Sequence, residues 1–140
     1  MIAIVAAAGT LQAGDNIPQT AIDHILAYQT GLSLTETQIA KLIKFNNEII
    51  DDLIQVRGQI EIRKIAIDQI DTDWSTIQKM SATQMINEYY DNLAKYKQLE
   101  LEAIMKARGV LTRNQMLNYS NMVSVEAMVL ELEGGYSSAY

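Results

Sequence analysis

The chain has 140 residues, a formal net charge of −6, 49% hydrophobic residues and no cysteine. That length suits one domain able to bury a core without cross-links, and the missing thiols exclude a disulfide framework or a thiolate metal site. The acidic balance argues against nucleic acid, whose binding rests on phosphate neutralisation, and against an anionic membrane surface.

In chain order, residues 1–13 (MIAIVAAAGTLQA) are uncharged. They read as the apolar end of a secretory signal peptide, with Ala13-Gly14 as cleavage junction, or as a mobile N-terminus of the mature chain. The run is too short to cross a bilayer as a helix. Asn16-Ile17-Pro18 opens a short helix over roughly 19–30, with Gly31 at its C′ position. A second helix starts after Thr35, in Leu34-Thr35-Glu36-Thr37-Gln38, and runs to about Ile70. Thr at the N-cap and Gln three residues on form a capping box, with Leu34 and Ile39 as hydrophobic staple. Its apolar stripe is Ile39, Leu42, Ile49, Leu53, Val56, Ile60, Ile67 and Ile70, at spacings of three and four. Asn46 interrupts the stripe where a buried residue is expected, and a buried Asn can set helix register. Gly58 marks either a bend, a close helix crossing or a tolerated glycine.

Residues 71–80 form the connection. A second box of similar design, Met80-Ser81-Ala82-Thr83-Gln84-Met85, predicts a third helix over Ala82–Arg108, stopped by Gly109. The next box, Leu111-Thr112-Arg113-Asn114-Gln115, with Leu111 and Met116 as staple, opens a fourth helix over Arg113–Leu132. Its apolar set is Met116, Tyr119, Met122, Val123, Val125, Val129 and Leu132, and Gly134-Gly135 stops it. Nothing alternates with period two, so no sheet is expected. The reading is a single all-α domain over 14–133 with a mobile tail over 134–140.

Chemistry-bearing clusters are sparse. The single histidine, His24, excludes the paired Glu-x-x-His signature of a di-iron bundle. It is the weak metal candidate of the chain and otherwise an ordinary helix residue. Seven methionines suit adaptable core or surface packing better than a thioether copper site. No nucleophile–base pair and no glycine-rich phosphate loop is recognisable, so neither catalysis nor a cofactor is expected. All eleven Lys and Arg fall between Lys41 and Arg113, and the chain beyond carries Glu126, Glu131 and Glu133 without a base. Tyr89, Tyr90 and Tyr96, interleaved with Lys95 and Lys97, read as a helix seam with a charged rim or as a surface for apolar and acidic segments.

Two LTxxQ motifs, each opening a helix around a long helical hairpin, resemble those of the Spy/CpxP superfamily of periplasmic proteins, which includes heavy-metal-resistance relatives. The phrases GLSLTETQIAKL and ARGVLTRNQMLNY carry the resemblance, which covers about residues 30–132. It implies a four-helix chain pairing as an antiparallel, cradle-shaped homodimer in the periplasm. It also implies that Leu34, Thr35, Gln38, Leu111, Thr112 and Gln115 are architectural. The function implied first is an ATP-independent stress chaperone that binds partly unfolded envelope proteins. On that reading Lys41, Lys44, Arg57, Lys64, Tyr90 and Lys97 are the expected contact face. The alternatives are a metal-responsive sensor or resistance protein, with His24 and nearby carboxylates as ligands, and a module that docks on a sensor kinase domain. No stable membrane insertion is expected.

Overall fold

The computed structural model describes residues 17–138, with side chains to Glu133. The expected leader over 1–13, its Ala13-Gly14 junction and the side chains of the 134–140 tail lie outside the described residues. Among the described residues every regular element is a helix: α1 (Ala21–Ala27), α2 (Glu36–Ile70), a 3-10 turn (Trp74–Thr76), α3 (Lys79–Val110) and α4 (Arg113–Ser138).

α1 is shorter than expected, because its start is set by Thr20 and not by Pro18. The Thr20 hydroxyl accepts from the Asp23 amide and the Asp23 carboxylate accepts from the Thr20 amide, a capping box of T-x-x-D form. After Ala27 the chain turns tightly, with the Leu32 amide donating to the Tyr28 carbonyl and the Leu34 amide to that of Gln29. Gly31 does not take the left-handed conformation expected of it; the described residue with positive φ is Ser33, at 53°. A Cβ at Gly31 would instead meet the Met122 Cε at 2.9 Å, the far end of a flexible side chain that would have to shift.

α2 begins at the Thr35 cap as expected. Its 35 residues make it about 52 Å long. Leu42, Ile49, Leu53 and Val56 are buried, whereas Ile60, Ile67 and Ile70 are half-exposed. Nothing lies within 4 Å of a Cβ placed on Gly58, so this glycine serves no close crossing.

α3 corrects the sequence reading at both ends. It starts at Lys79, with Gln78 as N-cap and no side-chain cap bond. The Ala82 amide already donates to the Gln78 carbonyl at 2.9 Å, so Ser81 sits inside the first turn and cannot cap. The Gln84 amide reaches on to Glu88 instead of back. Gly109 continues the helix, which ends where Leu111 turns extended ahead of the Thr112 cap.

α2 and α3 form an antiparallel hairpin. Arg63 pairs with Glu88 at 3.3 Å, and farther down Lys106 lies over the Phe45 ring at 4.7 Å from its centroid. The core gathers at the lower end, where Ile22, Ile25 and Leu32 close on Leu42, Ile49, Leu53, Ala103, Ala107 and Leu111. The small Ala103 and Ala107 let the other helices approach α3, and each large apolar side chain buried there contributes roughly 1.5–3 kcal/mol. Between Val56 and Ala103 no described residue is buried. Among the described residues α4 packs against the core through its first half, by Met116, Tyr119 and Met122. Val125, Val129 and Leu132, expected to face inward, are exposed. Gly134 and Gly135 do not stop α4, whose backbone stays helical to Ser138.

Candidate functional site

The motif residues meet in space. Thr35 and Thr112 cap α2 and α4, each accepting from the amide of the glutamine three residues on. Each glutamine returns the bond, with Gln38 Oε1 accepting from the Thr35 amide and Gln115 Oε1 from that of Thr112. The two side-chain amides then pair with each other at 2.8 and 3.0 Å. Their remaining protons go to the Val110 and Leu32 carbonyls. Leu111 is buried and Leu34 half-buried against the core.

The expected contact face is spread along the hairpin rather than gathered. Lys41 and Lys44 stand at its lower end, beside Phe45, Lys106, Gly109 and Val110, around one shallow groove. Lys106 and Phe45 are partners the sequence reading missed. Arg57 pairs with Glu61, Lys64 with Asp68 and Lys97 with Glu100, each along its own helix. The Glu100 carboxylate raises the pKa of Lys97 through that contact. Tyr90 is exposed and edge-on to Tyr89, while Tyr96 packs against the core.

A polar cluster forms where α4 crosses α1. His24 and Tyr28 lie one turn apart on this segment, and Tyr119 and Glu126 face them from α4. His24 Nδ1 lies 2.8 Å from the Tyr119 hydroxyl, and Nε2 lies 3.2 Å from Glu126 Oε2. The Tyr28 hydroxyl donates to the same carboxylate. An ionised carboxylate only accepts, so the proton sits on Nε2. The Tyr119 hydroxyl then donates to Nδ1 of the neutral ring and accepts from the charged one. The bonds from Tyr28 and His24 hold the Glu126 pKa below the usual carboxylate range. The same carboxylate raises the Tyr28 pKa, chiefly by the hydrogen bond, and burial raises that of Tyr119.

His24 is therefore tied into tertiary structure and is not a plain surface residue. Its carboxylate neighbour is Glu126, not the adjacent Asp23. Asp23 turns the other way, accepting from Asn46 Nδ2 at 2.7 Å, and the Thr20 hydroxyl bonds Asn46 Oδ1. Asn46 thus fastens α1 to α2. A cation at the cluster would find one imidazole, one carboxylate and two phenols. Among the described residues no three or more His, Cys, Asp or Glu are grouped for a metal. The available signal for Glu126 was its isolation, as the one charged residue between Arg113 and Glu131.

Scans against protein-family models, curated proteins and solved structures return no match. Among the described residues no helix is long and apolar enough to cross a membrane.

Proposed function

We propose that this chain is a Spy/CpxP-like periplasmic protein. It works without ATP as a stress chaperone, holding partly unfolded envelope proteins on an antiparallel, cradle-shaped homodimer. The observation that carries the reading is the outer end of the α2–α3 hairpin. There Trp74 is 78% and Met80 87% exposed, with Ile62, Ile65, Ile77 and Ile86 also exposed. A groove between the helices at this end is lined by Ala66, Ile70, Ile77, Ala82 and Met85 together with the polar Gln69, Asp73, Thr76, Gln78 and Ser81. So much apolar surface at one end of a folded domain marks an interaction site for apolar segments. Lys79 lies in the same stretch and suits acidic residues flanking such segments, while Arg63 and Lys64 are paired with Glu88 and Asp68. The test is light scattering from a chemically unfolded client, with this protein added at rising molar ratio in chelator. Suppression of aggregation near stoichiometry is expected; undiminished aggregation overturns the reading. A saturable complex with a single sensor-kinase domain, without general capture, would replace it by the docking-module alternative.

A second reading, a metal-responsive protein, rests on the family resemblance and on one imidazole and one carboxylate brought together, His24 and Glu126, short of three such groups among the described residues. Calorimetric titration with Zn²⁺ tests it. Affinity unchanged in His24→Ala removes the reading.

A further inference from the structure

The second half of α4 carries an apolar stripe of Val125, Met128, Val129 and Leu132, at positions i, i+3, i+4 and i+7 of one helix face. Val125, Met128 and Leu132 are each at least 60% exposed. Glu131 and Glu133 stand on either side of Leu132, so the stripe has a carboxylate along each edge. The stripe borders the face that meets α1, since Val125 lines one shallow pocket with Tyr28, Met122 and Glu126, while Met128 and Leu132 turn away from that side. At the lower end of the hairpin, Lys41, Lys44 and Lys106 surround a groove floored by Phe45 and Val110 and left open at Gly109, with Lys106 over the Phe45 ring and 4.0 Å from Glu102. Stripe and groove complement each other in charge and in apolar character, as in helix-in-groove recognition.

They cannot meet within one chain. α4 is continuous from Arg113, so Glu131 and Glu133 lie about 27–30 Å from its start. Val110 in the groove is three residues before that start. A rigid helix cannot return to the point it leaves.

We infer that the end of α4 of one copy docks on the Lys41–Lys44–Lys106 groove of a second copy, reciprocally. This rests on the homodimer of the proposed function and adds which surfaces meet. The charge asymmetry of the chain then has a use, since the base-free end of one copy neutralises lysines of the other.

Sedimentation velocity over a concentration series tests it, with folding of each variant checked by circular dichroism. The native chain is expected to dimerise. The triple variant Lys41→Glu, Lys44→Glu, Lys106→Glu should weaken the dimer by on the order of tenfold or more, and so should Glu131→Lys with Glu133→Lys. Mixing the two variants should restore a heterodimer, because each groove then faces opposite charge. Gly109→Gln, which fills the groove without adding charge, should also weaken association. A dimer that ignores both reversals, or reversed variants that do not recover on mixing, overturns the inference and leaves the homodimer standing. A native chain monomeric at every concentration overturns both, while client capture is judged separately by scattering.

Discussion

Gln38 and Gln115, 77 positions apart, hold each other's side-chain amides in a closed reciprocal pair. Each amide uses both protons and both acceptor sites, joining two helix caps and two backbone carbonyls into one network. The starts of α2 and α4 and the end of α3 are thereby fixed at a single point.

Removing either glutamine leaves the other's amide and a carbonyl short of partners. Gln38→Ala and Gln115→Ala are each expected to cost about 2–3 kcal/mol in urea unfolding, from three half-buried bonds at roughly 1 kcal/mol each, the fourth being exposed. The double variant should cost clearly less than the sum, by about 1 kcal/mol or more. Strict additivity would show that the pair does not act as a unit.

Asn46 should behave as a fastener between α1 and α2. Asn46→Ala should destabilise by about 1–2 kcal/mol by leaving Asp23 and Thr20 without their long-range partner. Asn46→Asp should cost more at neutral pH, because it sets a second carboxylate against Asp23, and should recover on acidification. A neutral Asn46→Ala in chemical unfolding would exclude this role.

The His24–Glu126 cluster makes a pH prediction of definite sign. The Glu126 pKa is lowered by folding, so its contribution is present above the ordinary carboxylate pKa of about 4.3 and is lost as pH falls through the folded value. The Tyr28 pKa is raised, so its contribution is full below about 10 and is lost as pH rises through the folded value. In ultraviolet titration of the seven tyrosines, Tyr28 and Tyr119 should ionise late, and Glu126→Gln should bring both down. Tyrosine titrations identical in the variant would disprove the contact.

Two glycines should respond in opposite senses. Gly58→Ala is expected to stabilise α2 by about 0.5–1 kcal/mol, since its Cβ meets nothing. Gly31→Ala must displace Met122 and should loosen the seat of α4, read as faster hydrogen exchange over residues 113–126. Equal effects on melting temperature would contradict this difference.

Trp74 is the single tryptophan and is largely exposed, so it reports on the proposed client surface. Its fluorescence should shift to the blue on adding an unfolded client. Trp74→Ser with Met80→Ser should reduce aggregation suppression several-fold while leaving thermal stability within about 0.5 kcal/mol, as for surface changes generally. Undiminished suppression by this variant would place capture elsewhere.

What the sequence determined by itself is local. The helical character, the long hairpin and the starts of α2 and α4 follow from periodicity of three and four and from Thr–Gln boxes whose bonds span three residues. The same logic overran at Ser81, because a potential cap acts only where its residue is extended, and there the helix already begins at Lys79. It also missed the Thr20–Asp23 box, where Pro18 drew attention to an earlier start. The glycines read as stops at 109 and 134–135 failed because a glycine permits an ending without requiring one. Tertiary structure decided everything that depends on distance in space. It set His24 against Glu126 rather than Asp23, joined Gln38 to Gln115, and turned Asn46 toward α1. Among the described residues it also left the outer hairpin and the second half of α4 exposed, since an amphipathic stripe says that a face is apolar and only packing says whether anything covers it.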